Sequence, residues 1–407
     1  MDDACPLCAS EIVQVRYMDT FRKYRLAVVT SHPVQYQAPL FQKLARHPQI
    51  DLTVYYGSDI SVRGEIDPGF GIPVKWDRPL LDGYRYQFLN SPDHPHARAR
   101  EQLRIIAELR RERYDVVFIH SYATATSLLA YLGAWLSITP ILIRTESHRL
   151  EERGGAKGAV KKIFLRVLFA HTQGFLTIGT RNSEFYKFYG GDEKRFYFTP
   201  YSVDNEFFDL QTAHASRVQT RRELDISQDA VVVLYCGKLC PDKRVIELLD
   251  AFEQVAKDQN AVLVIVGDGS ERTALESASR ERRLVDRVRF VGFKNQTELS
   301  SYYISADIFA LPSAHETWGL VLNEAMIYSL PIIATDHVGA AVDLIQEGVT
   351  GFTYPAGDVT CLSVFLRTLI LDPDLRRQMG QAARKKIEGW NYDVCVDEII
   401  RAMGDVC

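Results

Sequence analysis

The feature that most constrains this chain is a sustained alternation of short apolar runs with amphipathic helical stretches, from Arg25 almost to the C-terminus. RLAVVTS, DLTVYYG, YDVVFIHS, PILIRTES and GFLTIGT are strand-length runs whose hydrophobicity is continuous, the mark of strands covered on both faces. Between them, stretches such as PLFQKLARHP, EQLRIIAELRRER and LLAYLGAWL carry helical spacing. A polar stretch around residues 205–228 interrupts the series, and VVVLYCG, AVLVIVGDG, RVRFVGF, DIFALPS and PIIATD begin a second one. Such alternation gives a parallel sheet with helices on both faces, and 407 residues are too many for one ordinary core. The expected fold is α/β: two doubly wound Rossmann-like domains facing each other across a cleft. In such sheets ligands bind beyond the carboxyl ends of the strands, so function is sought in the residues that follow each strand.

Charge narrows the function classes. Residues 1–205 carry 27 Lys and Arg against 22 Asp and Glu, whereas the remainder carries 21 against 30. A mildly basic half suits an anionic lipid or substrate, and it lacks the dense basic stripe that nucleic acid requires. Seven scattered cysteines fit a reducing, cytoplasmic setting, and the Cys5/Cys8 pair has no second C-x-x-C to complete a zinc site. No apolar run reaches the length of a membrane-spanning helix, so any work at a membrane is done from its surface.

The chemistry concentrates in ALPSAHETWGLVLNEAM, which leaves a strand, turns at Pro312 and Ser313, and enters a helix near Gly319. Glu316 lies in the loop and Glu324 two turns inside the helix. Gly319 permits close approach of a ligand to the backbone, and the amides of Leu320 and Val321 at the helix start offer an anion site. Carboxylates suited to sugar hydroxyls therefore stand beside amides suited to phosphate. Upstream, YCGKLCPDKRVIELLDAF places Lys238 and Lys243 in a loop between strand and helix.

The first segment resembles the signature E-x-[FW]-G-x-x-x-x-E-A of the retaining glycosyltransferases of family 4, of the GT-B fold. The second is similar to that family's G-R-L-x-x-x-K-G element, with Lys238 at the arginine position and Lys243 at the lysine position. The resemblance implies that Glu316 contacts hydroxyls of the transferred sugar and that Glu324 binds the nucleotide ribose. It implies that Lys238 and Lys243 hold the donor diphosphate, although lysine offers a point charge where arginine offers a planar fork. Gly292 and Phe293, in RFVGFKNQ, match the place where the nucleotide base rests. The implied donor is a nucleoside-diphosphate sugar, UDP first and GDP next. The implied reaction moves a hexosyl group to a hydroxyl acceptor with retention, in polysaccharide or glycoconjugate synthesis, and the leaving diphosphate takes the acceptor's proton. No cofactor is implied. Asp372-Pro-Asp374 looks like the metal-binding Asp-x-Asp of the other large glycosyltransferase fold, but it opens a helix, where Pro and Asp are expected as capping residues.

The resemblance divides the chain into an extension (1–24), an acceptor domain (25–205), a donor domain (206–385) and a final helix returning to the first domain (386–407). It weakens in the N-terminal half. SHPVQYQAP stands where the family has a glycine-rich loop, making His32, Gln35 and Tyr36 candidates for an altered acceptor pocket. His120, after YDVVFI, keeps the position of a cleft-facing histidine, whereas Glu146 replaces a second family histidine, with His148 two residues on. These departures leave open an inactive sugar-nucleotide-binding partner of a working enzyme, and a nucleotide-sugar epimerase of the same fold would bind the same donor, although the Glu316/Glu324 segment counts against it. KGAVKKIFLRVLFAH puts Val160, Ile163, Phe164, Val167 and Leu168 on one stripe beside Lys157, Lys161, Lys162 and Arg166. It reads either as a core-facing helix with a solvated basic edge or as a surface contact with the membrane, where a lipid-linked acceptor would lie.

Overall fold

Strand β1 (Tyr24–Thr30) lies inside the first sheet, and its five C-terminal residues are buried. The structure is a computed structural model and describes residues 22–407 apart from Pro68, Pro95 and residues 151–154. The Cys5/Cys8 pair lies outside the described residues. The first sheet has seven parallel strands in the order β5-β2-β1-β6-β7-β8-β9, with β2 at Ile50–Tyr56, β5 at Arg85–Phe88, β6 at Val116–His120, β7 at Ile141–Arg144, β8 at Gly174–Thr177 and β9 at Phe196–Phe198. Between β2 and β5 a short antiparallel hairpin, β3 (Ile66–Asp67) and β4 (Ile72–Pro73), leaves the sheet and reaches toward the second domain.

The second sheet has six parallel strands in the order β12-β11-β10-β13-β14-β15, namely β10 (Val231–Cys236), β11 (Ala261–Val266), β12 (Val288–Gly292), β13 (Ile308–Leu311), β14 (Ile332–Thr335) and β15 (Gly351–Tyr354). Both sheets carry helices on both faces, so the doubly wound reading holds. Five of these six strands, β10 to β14, begin within one residue of the apolar run that announced them, and β15 had no such run. Asp372 caps the helix Pro373–Ile387 by accepting the Leu375 amide at 2.9 Å. The final helix, Tyr392–Val406, buries Tyr392, Cys395, Ile399 and Met403 against the first domain, in one apolar cluster with Leu40, Phe41 and Leu44.

The helix Ala156–Ala170 corrects one expectation. Its core contacts come from Leu165 and Phe169, one turn apart and buried, while Val160, Ile163, Phe164 and Val167 are exposed and Leu168 is half-buried. The stripe identified from spacing is therefore not core-facing. A second, shorter stripe does the packing.

Candidate functional site

The carboxyl ends of the two sheets converge on one cleft, and β13 delivers the central loop. Gly319 takes φ 96°, a left-handed conformation that opens the helix Leu320–Ile327, and a Cβ there would stand 3.3 Å from the Glu316 side chain. The turn thus requires glycine, and it leaves the Leu320 and Val321 amides at the helix start. Glu316 forms an ion pair with Lys243, whose Nζ also lies 3.4 Å from the His315 carbonyl. The sequence-identified carboxylate and cation are in direct contact.

Glu324 is fully buried, and both its oxygens are taken. Tyr303 Oη donates to Oε2 at 2.7 Å, and Tyr36 Oη donates to Oε1 at 2.8 Å from the N-terminal domain. Burial raises the Glu324 pKa to about 7, against the pull of the two hydrogen bonds. Tyr36 belongs to the bulky loop after β1, so that loop crosses the cleft and fills the place beside Glu324. The Tyr392 hydroxyl holds it by donating to the Tyr36 carbonyl at 2.8 Å.

Lys238 is likewise engaged from the other domain, with Nζ 2.8 Å from Asp67 Oδ1 in the β3-β4 hairpin. Burial pushes the Asp67 carboxyl up, but Lys238 and the Phe70 and Gly69 amides outweigh it and hold the group below its usual range. Beside this pair, the Phe293 ring lies 4.8 Å from the ring of Phe70 and 6.3 Å from that of Trp76, both on the N-terminal side. Gly292, at φ 85°, ends β12 and accepts a bond from the Gly267 amide at 2.9 Å. The hairpin therefore covers the Gly292–Phe293 corner.

On the opposite wall a cavity of about 480 Å³ brings together His32, His120, Glu146 and His148 with Lys161 and Thr317. His120 is buried, and burial with help from Arg144 holds its pKa well below the ordinary histidine value, so the ring is neutral. Its Nδ1 lies 3.5 Å from Gln37 Nε2, while Nε2 has no hydrogen-bond partner among the described residues. Glu146 is held by Tyr201, which donates at 2.6 Å. Burial raises its pKa, the Tyr201 bond and Arg144 oppose this, and the nearby Glu316 adds to it. Gln35 and Tyr36 line an adjoining cavity of about 420 Å³ with His32 and Trp76.

Asp67, Phe70, Trp76, Tyr201 and Tyr303 were not legible as site residues. The first three lie in DPGFGIPVKWD, which reads as turn, and the tyrosines sit in segments that serve the core equally well.

Comparison with known proteins bears on the fold and the family. The family described as glycosyl transferases group 1 matches residues 216–386. That match falls within the C-terminal domain. The chain is similar to the N-acetyl-alpha-D-glucosaminyl L-malate synthase of Bacillus anthracis, at 32% identity over 42% of this chain and 44% of that protein. It is also similar to the sulfoquinovosyl transferase of Arabidopsis thaliana, at 35% identity over 41% of this chain and 32% of that protein. The match thus spans less than half of each of these relatives. Across both domains, the chain superposes on a Rickettsia africae glycosyltransferase with a TM-score of 0.74 at 16% identity, covering 94% of this chain and 98% of that one. HepE of Anabaena, solved in complex with UDP, superposes with a TM-score of 0.72 at 16% identity, covering 94% and 99%. These neighbours establish the fold as GT-B.

Proposed function

We propose that the protein is a retaining glycosyltransferase of family 4, moving a hexosyl group from a nucleoside-diphosphate sugar to a hydroxyl acceptor in polysaccharide or glycoconjugate synthesis. The observation that carries the reading is the Glu316–Lys243 ion pair at the strand ends of the domain that also carries Lys238 and Glu324, opposite a cavity that contains His120 and Glu146. Donor binding exchanges partners. Lys243 turns from Glu316 and Lys238 from Asp67 to the diphosphate, Glu316 turns to the sugar hydroxyls, and Glu324 releases Tyr36 to take the ribose. The bond from the anomeric carbon to the diphosphate oxygen breaks, the acceptor oxygen forms the new bond, and the leaving diphosphate takes the acceptor's proton. The two lysines stabilise the charge that builds on that diphosphate. His120, neutral with Nε2 unused, is placed to hydrogen-bond the acceptor or the transferred sugar. No metal or other cofactor has a role in this scheme.

UDP is the favoured nucleotide, supported by the UDP complex of the HepE neighbour, with GDP next. The acceptor is lipid-linked on this reading, and the protein works in the cytoplasm at a membrane surface. An inactive sugar-nucleotide-binding partner is the second reading, favoured by one fact: Glu324 is already saturated by two tyrosines. Melting-temperature shifts with a panel of nucleoside diphosphates, followed by donor-hydrolysis assays with the matching sugars, separate the readings. A stabilising nucleotide whose sugar is released supports the transferase, binding without release supports the inactive partner, and no shift with any nucleotide overturns both.

A further inference from the structure

The helices Ala125–Leu136 and Ala156–Ala170 lie on the same side of the first sheet, because each crosses between successive parallel strands, from β6 to β7 and from β7 to β8. Each buries one stripe and leaves an apolar stripe outside. Val160 and Ile163 are each 67% exposed and Val167 58%, with Trp135 at 61% and Ile138, just past the end of the first helix, at 92%. Trp135 and Ile138 share a shallow depression with Ala170 and His171, so the two stripes meet at their C-terminal ends. Solvated surfaces hold single exposed hydrophobes, whereas a contiguous group of this size marks a surface with a partner.

Charge says which partner. The two helices carry Lys157, Lys161, Lys162 and Arg166 and no acidic residue. Beyond Ile138 lies a second depression of about 480 Å³, whose walls include Arg22, Arg110 and Arg113 against the single acidic residue Asp115. An outer face that is apolar along its middle and basic along its edges matches a bilayer with anionic headgroups, whose acyl region takes the former and whose phosphates take the latter. We propose that this face docks the protein on an anionic phospholipid surface, with Ile163, Val167, Trp135 and Ile138 entering the headgroup boundary. Lys161 ties the surface to the cleft, because it lines the cavity that holds His120 and Glu146. A bilayer under this face lies directly beside that cavity. The inference gives a location to the surface contact in the proposed function, and it stands whether or not the protein transfers sugar.

The test is flotation of the full chain with vesicles of phosphatidylcholine containing roughly one-third phosphatidylglycerol, against vesicles of phosphatidylcholine alone. The expected result is strong binding to the anionic vesicles, with binding to the neutral ones weaker by about tenfold or more. Ile163→Asp with Val167→Asp should abolish flotation, whereas Val364→Asp, at a site on the other domain that is also more than half exposed, should not. A blue shift of emission on binding that disappears in Trp135→Phe adds support. Flotation unchanged by the double substitution, equal binding to neutral vesicles, or no flotation of a chain that light scattering shows to be monomeric would each overturn the proposal. A dimer that does not float and is split by the same substitutions would assign the face to a second copy of the chain.

Discussion

The two walls of the cleft were built by different rules. On the C-terminal wall, one segment supplies most of the groups: Glu316, Gly319 and Glu324 come from one loop and the helix it opens, and Lys243 joins them from the loop after β10. On the N-terminal wall, each group depends on partners far along the chain. Glu146 is held by Tyr201, and Tyr36 by Glu324 and Tyr392. A site of the first kind persists as a recognisable motif because its geometry is local. A site of the second kind leaves little trace in any single segment, and bulky residues can replace a glycine loop if distant elements adjust.

Lys243→Ala should break the C-terminal wall hardest, slowing turnover by about 10³-fold if this cation stabilises the leaving diphosphate. Steady-state kinetics check it, and normal turnover would reduce the Lys243–Glu316 pair to an ordinary surface contact. His120→Ala probes the other wall. Turnover should fall by about 10²-fold as the reacting groups lose their alignment, while nucleotide affinity measured by calorimetry stays unchanged. Equal loss of both would mean that the two walls act as one folded unit and that the contrast drawn above is false.

Tyr36→Phe removes the contact that joins the walls. Because the phenol occupies Glu324 in the free protein, its loss should tighten nucleoside-diphosphate binding by about tenfold, the scale of one hydrogen bond to a charged acceptor. Weaker binding would instead make Tyr36 part of the donor site. Glu324 also predicts a pH dependence. Its folded pKa of about 7 lies above the ordinary 4.5, so the folded protein retains a proton that the unfolded chain has lost. The stability of the ligand-free protein should therefore fall as pH rises between those two values and level off above them. Glu324→Gln should flatten that slope in thermal unfolding, and an unchanged slope would place its origin elsewhere. The smallest expected effect is that of chelation: transfer should survive EDTA, and a loss restored by manganese or magnesium would require a metal in the scheme.

The α/β fold was legible because parallel strands buried on both faces announce themselves as continuous apolar runs. β5, β9 and β15 were not, since RYQF, FYF and GFTY are short edge or near-edge segments with exposed or half-buried positions that break the run. Among the candidate residues, sequence placed Glu316 and Lys243 near one another only through resemblance, and their contact is a fact of the folded loops. The hairpin residues Asp67 and Phe70 carried no signal, because their importance lies in what they reach across the cleft to touch. Spacing found the outer stripe of the Ala156–Ala170 helix. It could not tell inside from outside, because Leu165 and Phe169 form a second stripe on the same helix.

The contacts of Tyr36 with Glu324 and of Asp67 with Lys238 bear on the end of the reaction as well as its start. On the proposed function, both side chains are tethered competitors of the nucleotide, and an intramolecular competitor acts at an effective concentration that dilution cannot lower. Spent nucleoside diphosphate, having lost the sugar contacts to Glu316, would face that competition at full strength. A chain of this design carries its own means of product expulsion, and its turnover would be set by how quickly a tyrosine and an aspartate reclaim their partners.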